Sequence, residues 1–269
     1  NPLGQRVINL SVGLTLTSKW CAAVAQLVEQ RICNARVRSS NLLGGTIFGD
    51  IMKVRLISYT QPDNIIGVDD AQELIAYCAR VSNPGNQNNK ETSEKLVKYL
   101  IKNRHWSPLE MVNACIEIET TRDIARQILR HRSFSFQEFS QRYADPTKDL
   151  SFETRDARLQ DPKNRQNSIE LSEEDRRLNE DFRMKQMSLW KQAQETYEWA
   201  IKKGIAKEQA RAVLPEGMTV SRLYMNGTLR SWVHYIDLRS ANGTQKEHQD
   251  IAIACAHEIA QIFPLMKEL

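Results

Sequence analysis

No stretch of the 269-residue chain approaches the ~18 consecutive apolar residues of a membrane-spanning helix, so an integral membrane protein is not expected. Cysteine is scarce: Cys21, Cys33, Cys78, Cys115 and Cys255 are odd in number and widely spaced, with no C-x-x-C pair. That argues against a disulfide framework and against a zinc site. It suggests a reducing compartment, the cytoplasm or a host cytoplasm if the chain is viral. Metalloprotease spacing is missing too, since His248 and His257 lie nine apart beside Glu247 and Glu258, and no metal is expected. There is no internal repeat and no low-complexity tract. An excess of one charge is also lacking over most of the chain. Five of the 37 basic residues and two of the 33 acidic ones fall in residues 1–51, and the remainder balances to within one charge. A general polyanion binder is therefore disfavoured, and any bound anion should be held by a local cluster.

What is present describes a globular protein. The chain is long enough to bury most of its unfolded surface without staples, and 41% hydrophobic with 26% charged residues excludes wholesale disorder. Residues 1–51 read differently from the rest. Their text VAQLVEQRICNARVRSSNLLGG resembles the translation of a reading frame running through a transfer-RNA gene. The expectation is a non-native or disordered extension over 1–51 and a single domain over 52–269. A targeting peptide or an accessory helix over Lys19 to Glu29 are the alternatives.

From Met52 the periodicities become regular. MKVRLISYT reads as a first strand, and Asp69–Arg80 as a helix with acids in its first turn. A second helix is expected from Thr92 to about Asn103. Met111–Thr121 alternates Val112, Ala114, Ile116 and Ile118 with polar neighbours, a half-buried strand. Further helices are expected over Arg122–Arg132, Leu171–Lys203, Lys207–Val213, Leu229–Leu238 and Glu247–Lys267. Met218–Tyr224 reads as extended, and 143–168 as a polar loop able to cover a site. Strands mixed with long helices, without regular alternation, indicate an α+β fold with a mixed or antiparallel sheet.

The chemistry concentrates in arginines. Arg122, Arg126 and Arg130 recur every fourth residue on what reads as the polar face of one helix, and Arg132 and Arg142 follow. Like charges so placed repel. Arginine, never lysine, fills all five positions, which suits forked recognition of phosphate or carboxylate. The helix leads into RHRSFSFQEFSQRY, dense in hydroxyls and aromatics.

That segment carries a resemblance. Arg130-His131-Arg132 followed by Ser135, Glu138, Ser140 and Arg142 is similar to the RHRxxSxxxxSxR signature of flavin-dependent thymidylate synthases. His105-Trp106-Ser107-Pro108-Leu109-Glu110 resembles the family's H-x-[ST]-P-F-E segment. Glu208 to Pro215 (EQARAVLP) resembles its E-x-A-R-x-x-L-P, and Gly227 to Trp232, through His234 to Arg239, its G-N-x-R-x-W…H…R stretch. The four matches lie between His105 and Arg239, and the resemblance extends over residues 53 to about 265. Departures occur at Gln137 and Thr228, where the family has Asn, and at Met111 and Gly243, where it often has His.

The resemblance implies an α+β domain that transfers a methylene carbon from 5,10-methylenetetrahydrofolate to C5 of dUMP, with FAD reduced by NADPH, in a homotetramer with shared active sites. It carries dUMP contacts onto Arg126, Gln127, Ile128, Leu129, Arg130, Glu138, Phe139, Ser140, Gln141, Arg142, Arg211 and Arg239. Flavin contacts fall on His105, Ser107, Arg130, His131, Arg132, Gln137, Glu138, Thr228, Leu229, Arg230 and His234. Arg239 is the expected catalytic residue, a guanidinium stabilising negative charge on the pyrimidine. Outside the motif these residues read more plainly: His234 as a core histidine, Ser135 and Ser140 as turn hydroxyls, Cys115 and Cys255 as buried apolar groups. None of the five cysteines sits in the Pro-Cys-His setting of the cysteine-dependent thymidylate synthases. The competing functions are a non-catalytic nucleotide- or RNA-binding module, in which Phe134, Phe136 and Phe139 stack on bases, and a flavoprotein of other chemistry on the same fold.

Overall fold

A computed structural model describes residues 46–48 and 52–268. Five antiparallel strands form the main sheet: β1 (Thr46–Phe48), β2 (Met52–Tyr59), β3 (Asn113–Thr121), β4 (Ser135–Glu138) and β7 (Val220–Thr228), in the order β1-β2-β3-β7-β4. A separate hairpin pairs β5 (Arg158–Gln160) with β6 (Ser168–Glu170). The helices are α1 (Ala71–Ala79), α2 (Ser93–Lys102), α3 (Arg122–Ile128), α4 (Pro146–Asp149), α5 (Arg176–Lys202), α6 (Lys207–Ala210), α7 (Leu229–Ser240) and α8 (Lys246–Ile259). This is the expected α+β class. Strand β1 falls within residues 1–51, pairing Thr46 to Phe48 with Val54 to Met52; the other calls on that stretch lie outside the described residues.

Alternation decides the two faces of the sheet. Val54, Ala114, Ile116, Ile118, Leu223 and Met225 point into a core closed by α1, α2, α7 and α8. α8 lies against β2 and packs on α7, bringing Ile251, Ala252, Cys255 and Ile259 into that core. The opposite face carries cross-strand ion pairs. Arg55 sits opposite Glu117, Lys53 opposite Glu119, and Glu119 opposite Arg222, with an Arg55–Glu117 contact of 3.0 Å. A smaller core forms beneath α5, where Phe152 stacks on Trp190 at 4.8 Å beside buried Tyr197 and Met218.

Several boundaries differ from the sequence expectation, each for a tertiary reason. The helix expected over Arg122–Arg132 stops at Ile128, because the chain turns to add β4 to the free edge of β7, pairing Ser135 with Asn226 and Glu138 with Leu223. The strand expected over Met218–Tyr224 runs from Val220 to Thr228, since it is held by β3 on one side and β4 on the other. The 143–168 loop contains α4 and strand β5, and pairs back through β6. α5 begins at Arg176, after a turn opened by the Ser172–Asp175 capping box, and ends where Gly204 takes a left-handed φ of 79°. The last helix stops at Ile259, ahead of Pro264.

Candidate active site

α7 is the wall that three of the four motifs share. At its C-terminal end the Nε of Arg239 donates to Nε2 of His131, at 2.9 Å. An accepting Nε2 carries no proton, so His131 is the neutral Nδ1–H tautomer. Burial, then the Arg239 guanidinium, then that of Arg130, push His131 down to about 4. Tyr235, one turn before Arg239 and fully buried, meets the His131 ring edge-on at 4.9 Å. The bond to His131 uses only Nε, so both terminal amino groups of the Arg239 fork lack a hydrogen-bond partner among the described residues.

The arginines divide into two sets. Arg122 does not lie on a solvated polar face: it is 6% exposed and held by Glu138 and Glu216 at 3.6 and 3.3 Å. Burial selects this pairing, because a guanidinium without an acid there would be strongly disfavoured. Arg126 is half-exposed between the same two acids, 3.7 Å from each, and Arg142 lies 3.5 Å from Glu208. Arg130, Arg132 and Arg211 have no acidic partner among the described residues. The acids missing from the local sequence thus arrive from the 208–216 segment, but these three guanidiniums are left without one. Glu138 is further engaged by the Ser221 hydroxyl at 2.9 Å.

The other end of α7 gathers the 105–110 and 227–234 motifs. Trp106 and His234 meet edge-on at 4.5 Å, Arg230 pairs with Glu110, and His105 faces Tyr99 at 6.1 Å. Burial, with Arg230 adding to it, holds His234 below its ordinary value. Ser107 opens the turn Ser107–Met111 against which α7 packs. Thr228, one of the departures, is the N-cap of α7 and accepts from the Ser231 amide at 3.2 Å, so its hydroxyl performs a structural task. Gly227 is dictated by contact, because a Cβ there would lie 2.4 Å from the Phe134 ring. The Ser231 hydroxyl donates to Ser133 O at 3.1 Å and ties α7 to the arginine turn.

The remaining candidates divide by exposure. Ile128 and Leu229 are fully buried, backbone included, and expose no surface to a ligand. Gln141 is 3% exposed, and its Nε2 has no hydrogen-bond partner. Gln137 is exposed on edge strand β4; Leu129, Phe139, Ser140 and Arg211 are half-buried. No described contact joins Arg142 and Arg211 to Arg239. Sequence reasoning missed Tyr235, Gln245 and His248, which surround His131 and Gln127. One signal existed: His248 occupies the apolar stripe of α8 with Ile251, Ala252, Cys255 and Ile259, a position where a polar side chain needs a reason. The described cysteines are poor nucleophiles, since burial pushes the Cys78 and Cys115 thiols up and the fully buried Cys255 further still.

The two central histidines predict a pH response. The unfolded chain protonates both near 6.5, whereas burial and neighbouring cations hold His131 down to about 4 and His248 to about 3 in the fold. A histidine depressed on folding contributes its full share of stability above 6.5, and that share is lost as pH falls. Urea midpoints should therefore decline between pH 7 and pH 5, above the range where carboxylates titrate. A flat profile over that interval would show that both rings are already solvated.

A family model described as thymidylate synthase complementing protein matches residues 55–265. The chain is 49% identical over 215 residues to the flavin-dependent thymidylate synthase of Synechocystis sp., covering 79% of this chain and 96% of that protein. This chain belongs to the flavin-dependent thymidylate synthase family. As a member it is an enzyme, a flavin-dependent methyltransferase that converts dUMP to dTMP. A flavin-dependent thymidylate synthase of Thermus thermophilus is 31% identical over 191 residues, with 71% of this chain and 68% of that protein covered. Among solved structures, the UMP/dUMP methylase PolB from Streptomyces cacaoi bound with 5-Br dUMP superposes with a TM-score of 0.65 at 25% identity. That match covers 81% of this chain and 93% of the other. The antiparallel sheet and helices are therefore those of a thymidylate synthase of this family, and α7 is where three of its four motifs converge.

Proposed function

We propose that this thymidylate synthase takes its carbon from 5,10-methylenetetrahydrofolate and its reducing equivalents from NADPH, with FAD as the resident flavin. The observation that carries the reading is Arg239. A neutral imidazole anchors it through Nε and leaves the two ends of its fork for a ligand. Uracil C5 becomes nucleophilic when negative charge builds on the ring, and a guanidinium fixed beforehand stabilises the N3-deprotonated form with little reorganisation. The thiol alternative has little support, because the described cysteines are held as thiols by burial.

The other assignments follow from charge and exposure. Arg126, Arg142 and Arg211 suit the dUMP phosphate, while the Gln127 amide contacts the nucleotide. Arg130 and Arg132, without acidic partners, fit the phosphates of FAD, and Trp106 with His234 offers an aromatic surface for its ring system. Bound FAD supplies the hydride that completes the methyl group. A homotetramer with shared active sites accounts for exposed Phe182, Met184, Leu189 and Trp199 along α5 and for Tyr224 on the open face of the sheet. The cytoplasm, a host's if the chain is viral, suits the free cysteines; no helix among the described residues is long and apolar enough to cross a membrane.

Release of tritium from dUMP labelled at C5, dependent on folate, FAD and NADPH, tests the reaction; its absence with flavin bound would exclude it. For the phosphate site, Arg142→Ala should weaken dUMP more than about tenfold, as loss of a charge-assisted hydrogen bond does. The half-exposed Glu208 pair contributes too little to mask that loss. Unchanged affinity by calorimetry would make Arg142 a surface ion pair only.

A further inference from the structure

A line of hydrogen bonds runs from the β5 hairpin into the site, and its polarity is dictated from one end. Glu247 accepts from Nη2 of Arg158 at 2.6 Å and from Nε2 of Gln245 at 3.0 Å. A carboxylate only accepts, so the Gln245 amide must turn its nitrogen toward Glu247 and its oxygen toward Gln127. Nε2 of Gln127 donates to that oxygen at 2.7 Å. The Gln127 oxygen consequently faces Nδ1 of His248 at 3.3 Å, and Nδ1 must carry the proton. Each amide could be turned end for end without changing its shape, but only this order makes every contact along the line a donor facing an acceptor.

Two features show that the line is more than packing. His248 is fully buried, and its Nε2 has no hydrogen-bond partner, a lone pair left bare by the enforced tautomer. An apolar residue would serve the core better at that place, since an unpaired buried acceptor is destabilising. Glu247 is also kept ionised: burial opposes its charge, but a backbone hydrogen bond, Arg158 and Arg155 outweigh it and lower its pKa.

We propose that Glu247, Gln245 and His248 are positioning residues, a polarised relay that fixes which way round the Gln127 amide faces the nucleotide. The inference rests on the reading of Gln127 as a dUMP contact. Once held, the amide leaves one N–H and one carbonyl lone pair for the ligand. An amide free to flip would present donor and acceptor interchanged for part of the time and bind correspondingly less well.

The test uses the full-length, FAD-loaded protein, with dUMP affinity from calorimetry and the His248 tautomer from ring nitrogen-15 shifts. Wild type should show the Nδ1–H form alone. Gln245→Met, which keeps the Arg158–Glu247 pair, should populate the Nε2–H form and weaken dUMP about tenfold, the scale of one hydrogen bond. Flavin content should be unchanged. Glu247→Gln, whose amide can present either end, should do the same if Gln245→Met folds poorly. An Nε2–H histidine in wild type would overturn the relay. So would full dUMP affinity in both relay variants while Gln127→Leu loses it. Full affinity in Gln127→Leu would instead remove the nucleotide contact on which the inference rests.

Discussion

Arg239→Ala should lower dTMP formation by roughly 10²–10³, the scale of removing one preorganised electrostatic partner. Nε of Arg239 is spent on His131, and the two ends of the fork have no hydrogen-bond partner among the described residues. Oxidation of NADPH by the flavin should survive far better, because that half-reaction needs no charge on uracil. Arg239→Lys should rescue partly, keeping a cation but losing the planar fork and the anchored Nε. A second signature is independent of turnover. Arg239 is the second largest influence, after burial, holding His131 down, so the His131 pKa should rise toward its ordinary value in Arg239→Ala. Flavin reduction and dTMP formation need to be measured separately in one variant. Equal losses in both would mean that Arg239 holds only the flavin or the fold.

Trp232→Ala should destabilise the protein by about 3–5 kcal/mol, a large part of the stability of an ordinary domain. Trp232 is 0% exposed, and its Nε1 donates to Ala114 O on β3 at 3.0 Å. Its ring meets Phe134 edge-on at 4.9 Å, next to the arginine turn. One side chain therefore joins α7, the central strand and the segment that follows Arg132. Trp232→Phe separates the two contributions, since it retains most of the packing but leaves the Ala114 carbonyl without its indole donor, for a loss of about 1–3 kcal/mol. Urea unfolding followed by far-UV circular dichroism gives both numbers. A midpoint unchanged in Trp232→Ala would contradict the buried position.

Separation along the chain decides which of these residues the sequence could reveal. The strand at Asn113–Thr121 and the helices at Ala71–Ala79 and Ser93–Lys102 were legible because their apolar period is set by neighbours within one or two turns. The four motifs were legible because each is a short run of fixed spacing, and together they determined the family, the reaction class and the choice of Arg239. The end of α3 at Ile128 was not, since nothing local stops that helix; the vacant edge of β7 recruits Ser135–Glu138, nearly ninety residues away in sequence. The burial of Arg122 was hidden for the same reason: its partner Glu216 is 94 residues downstream, and only folding turns what reads as a polar helix face into a buried ion pair. The orientation of Gln127 depends on Gln245 and His248, 118 and 121 residues distant. Local sequence determined the elements and the chemistry on offer. Which guanidiniums are neutralised, which histidines are kept uncharged and which way an amide points depend on burial and charge from distant segments, and those exist only in the folded chain.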